Sequence, residues 1–192
     1  MSTMSSTPGG AAVATPAQDR GGKFLTFYLA DEEYGVEILK VQEIIGMQPI
    51  TRVPRTPAFI RGVINLRGKV IPIMDLRERF GMESAESALA GASESDVAAA
   101  EAVRCIIVVQ VVGPTGQAVP VGIVVDRVSE VSSIASAEIE DAPSFGSGVR
   151  TEYLLGLGKA QGHVKLLLDI DRVLAAEELE QLPDAALEAE AA

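Results

Sequence analysis

One spacing constrains this chain more than any other: a stretch near its middle returns 94 positions later. Residues 59–80, FIRGVINLRGKVIPIMDLRERF, fall on 153–174, YLLGLGKAQGHVKLLLDIDRVL. Gly62 meets Gly156, Gly68 meets Gly162, Val70 meets Val164, Asp75 meets Asp169, and Phe59 meets Tyr153. A second match precedes each copy: GVEILKVQEI (35–44) on GIVVDRVSEV (122–131). It puts Gly35, Val41 and Glu43 on Gly122, Val128 and Glu130, with Lys40 on Arg127. Two motifs in the same order in both halves read as two copies of one β-unit. A unit of roughly 60–80 residues is marginal by itself, so the two are expected to pack on each other.

The elements between these motifs are short strands. KFLTFYLADEEYGVEI reads as two strands hinged at ADEE, LKV as a tight turn, and VQEIIGMQPITRVP as a strand limited by Pro49 and Pro54. TPAFIRGVINLRGKVIPIMDL gives two strands turning at Arg67-Gly68, then DLRERFG a helical turn stopped by Gly81. Strands resume over 103–112 and 118–134; 135–151 reads as irregular, and EYLLGLGKAQGHVKLLLDI supplies two more strands. DRVLAAEELEQL is the one plain helix, with Asp171 as its expected N-cap. Many short strands with Gly and Pro turns predict an all-β barrel or sandwich.

Boundaries follow from composition. Residues 1–22, rich in Ser, Gly, Ala, Thr and Pro, predict a disordered tail, as do 183–192. Residues 83–102, ESAESALAGASESDVAAAEA, read as an acidic, Ala-rich loop near the junction of the units. The expected layout is a first barrel over about 36–82 plus swapped terminal elements, a second over about 103–168, and a helix over 169–182. The shared glycines Gly35, Gly62, Gly68, Gly122, Gly156 and Gly162 mark bends or close backbone approach, and Asp75 and Asp169 cap backbone N–H groups where a strand ends.

Composition removes several functions. With 27 acidic against 16 Lys and Arg residues, the net charge is −11, which repels nucleic acid and anionic membranes. Hydrophobic residues make up 47% and aromatics 4%, so the core is aliphatic. The lone Cys105, flanked by apolar residues, reads as a buried thiol in a reducing cytoplasm. The N-terminus carries no basic segment followed by an apolar one, so no signal peptide is expected.

The stretch at 59–81 raises a phosphate loop, which fails on three counts. Five residues rather than four separate Gly62 from Gly68, Val70 stands where a hydroxyl is needed, and a strand follows instead of a helix. The only histidine, His163, lies at a turn, and Cys105 has no evident base. The acidic runs at 31–33 and 169–171 suit a hairpin turn and a cap better than a metal. No catalytic, cofactor or metal residue is expected. Asn65 and Arg67 are different: Lys159 and Gln161 replace them in the second copy, so the backbone does not demand them. A recognition role suits them, since arginine offers a planar fork of donors.

Together FLTFYLADEEYGVEILKVQEI, TPAFIRGVINLRGKVIPIMDLRERFG, VGIVVDRVSEV and RTEYLLGLG resemble the CheW family of chemotaxis coupling proteins, over about 23–182. The resemblance implies two SH3-like five-stranded β-barrels packed on a shared hydrophobic core, with a short C-terminal helix. It implies a non-enzymatic, cytoplasmic adaptor that joins the cytoplasmic tip of chemoreceptors to the regulatory domain of the histidine kinase CheA, in arrays on the inner face of the membrane. Direct membrane and nucleic-acid binding are not expected. The alternatives are a coupling protein of a non-flagellar chemosensory pathway and a β-barrel nucleic-acid module. The family positions Val41, Glu43, Gly62 and Arg67 fall to coupling, with Ile44 adding apolar surface. The segment 83–102 and the N-terminal tail are longer than the family's pattern.

Overall fold

The computed structural model describes residues 20–113, 115–143 and 150–174. Its strands are β1 (Gly22–Leu29), β2 (Glu32–Glu37), β3 (Val41–Gly46), β4 (Ile60–Leu66), β5 (Lys69–Asp75), β6 (Cys105–Val112), β7 (Ala118–Val125), β8 (Arg127–Ile134), β9 (Ile139–Glu140), β10 (Leu154–Ala160) and β11 (His163–Leu168). Helices α1 (Leu76–Arg79), α2 (Ala85–Ala88), α3 (Glu94–Val103) and α4 (Ile170–Val173) are short. One sheet runs β3-β6-β7-β5-β4 and the other β8-β1-β2-β11-β10-β9. These are the two barrels.

The barrels are not the two sequence halves. The hairpin β6–β7 pairs with β3 and β5 of the first half, and the hairpin β1–β2 pairs with β8 and β11 of the second. The expected division at 83–102 is therefore corrected: residues 105–125 complete the first barrel, and 22–37 complete the second. Each half lends one hairpin to the other, which buries strand edges that a single unit would leave open. Two parallel pairings record the exchange. Gly122 lies beside Ile73, and Gly35 lies beside Leu167, the residue 94 positions after Ile73. A Cβ on Gly35 would come 2.9 Å from Leu167 Cδ2, and one on Gly122 would strike Ile73 Cδ1, so both glycines allow close contact across the exchanged pair.

The hairpins β4–β5 and β10–β11 agree in detail. Their first strands, β4 and β10, show the same alternation of burial and the same bulge before the glycine, at Ile60/Gly62 and Leu154/Gly156. Gly62 has φ +138°, and a Cβ there would strike Thr51 O; at Gly156 it would come 2.7 Å from Glu140 O. Each hairpin ends in a capping aspartate, Asp75 Oδ1 accepting from Arg77 N (2.9 Å) and Asp169 Oδ1 from Arg172 N (3.3 Å). Asp169, not Asp171, is thus the N-cap of α4, because the residue that follows β11 directs its carboxylate at the helix's first free amides. Of the expected helix over 169–182, Ile170–Val173 lies among the described residues; 175–182 and the 183–192 tail lie outside them.

The main core is shared. Phe27, Leu29, Tyr34 and Val36 from one hairpin meet Ile107, Val109, Ile123 and Val125 from the other. A smaller cluster, Ile64, Ile71, Ile73, Ile106, Val108 and Val124, fills the first barrel, and Phe24, Ile134 and Leu167 fill the second. Strand β6 therefore buries both faces over residues 106–109, which explains the apolar run IIVV ahead of the exposed Gln110. Aromatics are few but central: Phe27, Tyr34, Phe80 and Tyr153 follow one another at 6.1, 5.7 and 6.1 Å between ring centroids. Cys105 is half-buried rather than fully buried, and burial raises its thiol pKa.

Two further expectations change. Residues 83–102 form α2 and most of α3 instead of a loop, since Ser84 Oγ accepts from Ser87 N (3.1 Å) and Ser93 Oγ from Asp96 N (3.2 Å), with acids in each first turn. Part of the expected N-terminal tail is ordered: β1 starts at Gly22, and Arg20 donates to Asp141 Oδ1 (2.6 Å) and Leu155 O (2.9 Å).

Candidate interaction site

The turn between β4 and β5 is built from Arg67 (φ +53°) and Gly68 (φ +84°). Positive φ at both central residues matches the twist of the flanking strands. Asn65 Oδ1 accepts from Gly68 N at 2.8 Å, so the asparagine's carbonyl is spent on the turn. Arg67 projects outward and is largely exposed. Its guanidinium grips Glu43 on β3 through two bonds, Nη1 to Oε1 at 3.0 Å and Nη2 to Oε2 at 2.8 Å. The pair spans from the turn to the strand at the opposite edge of the sheet. In solvent such a pair adds only about 0.2–1 kcal/mol, so orientation, not stability, is its main effect.

Strand β3 pairs with β6 and has a bulge between Val41 and Glu43. Its burial alternates: Val41, Glu43 and Ile45 are half-buried, whereas Gln42, Ile44 and Gly46 are exposed. Val41 packs on the shared core. Ile44 and Met47 are exposed large apolar residues of this edge. The structure thus joins Glu43 to Arg67 directly, sets Asn65 beneath them as a turn residue, and places Ile44 on the other face of β3. Gly62 lies at the far end of β4, where its backbone fits under Thr51.

Sequence reasoning missed three features. Leu39, in the short turn Ile38–Lys40 where the chain leaves one barrel for the other, is 94% exposed; an apolar residue beside Ile38 and Val41 carries no signal that separates it from core. Two crossover contacts were also missed: Lys40 Nζ to Asp171 Oδ2 at 2.6 Å, and Arg77 to Asp126, with Nε at 3.0 Å from each carboxylate oxygen. The third is Lys165, 3% exposed, bonded to Glu33 Oε1 (3.0 Å), Ser132 Oγ (3.1 Å) and Glu130 Oε1 (3.2 Å). Burial pushes the Lys165 pKa down, but its bonds and charges to Glu33 and Glu130 outweigh this and leave it raised. Its signal was legible: a lysine stands in an apolar strand, HVKLLL.

Among the described residues no group of three or more His, Cys, Asp or Glu could hold a metal, and no helix is long and apolar enough to cross a membrane. What the surface offers is a pair of barrels with an oriented charge pair at a strand edge, the equipment of a scaffolding or adaptor protein. The comparisons agree. The family model for the CheW-like domain matches residues 23–178. The chain is 43% identical over 159 residues to the chemotaxis protein CheW of Klebsiella aerogenes, covering 83% of this chain and 85% of the relative. It is 32% identical over 166 residues to the protein FrzA of Myxococcus xanthus, covering 85% and 89%. The crystal structure of the scaffolding protein TtCheW from Thermoanaerobacter tengcongensis matches with a TM-score of 0.62 at 34% identity, covering 78% of this chain and 89% of that one. The chain belongs to the CheW-like family, and its function is that of a chemotaxis coupling adaptor.

Proposed function

We propose that this adaptor joins the cytoplasmic tip of chemoreceptors to the regulatory domain of the histidine kinase CheA, without catalysis of its own, in arrays beneath the cytoplasmic membrane. The observation that carries the reading is the bidentate Arg67–Glu43 pair at the edge strand β3. A strand edge supplies backbone groups for barrel-to-barrel pairing, and an oriented charge pair fixes register and partner choice. Val41 and Ile44 supply apolar area on either face of β3. Gly62 and Asn65 act indirectly, by holding β4 and its turn where Arg67 meets Glu43.

The test is a pull-down and calorimetric titration of the full chain with the CheA regulatory domain and with a receptor cytoplasmic hairpin. Binding in the micromolar range to both is expected. Binding to neither overturns the proposal.

A further inference from the structure

The site around Arg67 has a counterpart in the second barrel, and there the arginine is missing. Glu130 on β8 stands where Glu43 stands on β3, since both edge strands carry a bulge at this point, between Val41 and Glu43 and between the partners of Leu25 and Phe27. Gln161 and Gly162, with φ +53° and +79°, form the same turn as Arg67 and Gly68. Glutamine is shorter and uncharged, so Glu130 receives no guanidinium from it. A cavity of about 180 Å³ opens here, lined by Tyr28, Glu33, Glu130, Gln161, His163 and Lys165 among others.

The charges of the cavity do not balance internally. Lys165 is one ammonium facing two carboxylates, and its bonds land on Oε1 of each. Its third bond goes to Ser132, so its donors are fully used. The second oxygens of Glu33 and Glu130 remain for a planar donor, which a guanidinium supplies and an ammonium matches poorly. Exposed Val131, 87 positions after the exposed Ile44, adds apolar surface on the same edge strand.

We propose that this cavity receives an arginine side chain from a protein partner, which completes in trans the pair that Arg67 and Glu43 make within the first barrel. The inference rests on the adaptor reading for the identity of the partner, and on the cavity alone for the arginine. In an assembly of barrel proteins it gives the two ends of this molecule different recognition chemistry: one end brings its own arginine, and the other accepts one.

Two measurements test it. In the first, N-acetyl-arginine amide is titrated into the full chain and followed by NMR. Saturable shifts of Glu33, Glu130 and Lys165 are expected, weaker with N-acetyl-lysine amide and abolished in Gln161→Arg, which fills the cavity from within. Absence of saturable shifts, or an unchanged response in Gln161→Arg, overturns the proposal. If Gln161→Arg fails to fold, Glu130→Gln serves instead, with the same two outcomes. In the second, Gln161→Arg is expected to weaken binding to the CheA regulatory domain by about tenfold. Wild-type binding to that domain with no arginine response removes the cavity proposal and leaves the adaptor reading; arginine binding without affinity for that domain does the reverse.

Discussion

Asp171 stands 94 positions after Arg77 and performs the same task with the opposite charge. Arg77 follows the first barrel's hairpin and holds Asp126, where the chain crosses from β7 to β8. Asp171 follows the second barrel's hairpin and holds Lys40, where the chain crosses from β2 to β3. Both crossovers of the exchanged hairpins are therefore latched to the helical turn that closes the neighbouring barrel, and exchanging the partners would set like charges together, Arg77 with Lys40 and Asp171 with Asp126.

The latches differ in burial, so their loss is expected to differ. Arg77 is buried and also donates to Glu83 O at 3.0 Å. Arg77→Ala leaves the Asp126 carboxylate without its counter-charge, with the Ala30 amide still bonded to it, and is expected to cost about 3 kcal/mol in urea unfolding. Lys40→Ala, at a more exposed pair, is expected to cost about 0.5–1 kcal/mol. Equal losses would show that burial does not control the latches.

Arg67→Glu is expected to abolish coupling while changing stability by less than about 1 kcal/mol, since its pair is exposed. Thermal melting and the CheA titration, run on the same sample, separate the effects. Arg67→Gly supplies a second check: it relieves the positive φ and is expected to keep the fold while weakening binding.

Gly62→Ala is expected to destabilise the fold by about 3 kcal/mol or more, because φ +138° and the carbonyl of Thr51 both oppose a side chain. Gly68→Ala, which meets no atom and suffers only its φ of +84°, is expected to cost about 1–2 kcal/mol. Chemical denaturation ranks the two.

Stability is expected to change at both ends of the pH range. Ser132 and Lys165 lower the Glu130 pKa. For Glu86, burial acts upward, but its own backbone bond and Arg61 and Arg104 prevail and lower it. A lowered carboxylate contributes stability above its ordinary value of 4.5 and loses it as pH falls through the folded value, below 4.5. Lys165, raised above 10.5, contributes fully below that pH and loses its contribution as pH rises through the folded value. Urea midpoints are expected to be flat between these limits with respect to these groups, and Lys165→Met to reduce the alkaline fall, the remainder belonging to Cys105 and Tyr34, whose pKa values burial raises.

The local chemistry was legible in the sequence because it depends on neighbours along the chain. Arg67-Gly68 announces a turn through residues that accept positive φ, and Asp75 and Asp169 announce caps because a carboxylate after a strand meets the amides that follow it. The repeat revealed one β-unit occurring twice, and of the shared glycines Gly62 and Gly156 mark where another backbone comes close. The segment 83–102 was misread since its Ala and acidic content suits both linker and helix; the caps at Ser84 and Ser93 were the overlooked signal. Asn65 was read for recognition because its counterpart Lys159 differs, yet its carbonyl serves the turn.

By itself the sequence determined which residues form strands, where they turn, and that one unit occurs twice. Only the tertiary structure decided which strands share a barrel. Hairpins β1–β2 and β6–β7 are both apolar and strand-forming, and nothing local tells either to join its own half or the other. The choice comes from the shared core, where Phe27 and Tyr34 meet Ile107 and Ile123 in a packing that long-range contacts alone create. The pairing of Glu43 with Arg67 is likewise a tertiary contact, between the edge strand β3 and the β4–β5 turn, whereas the absence of a matching arginine beside Glu130 is already written in the sequence as Gln161.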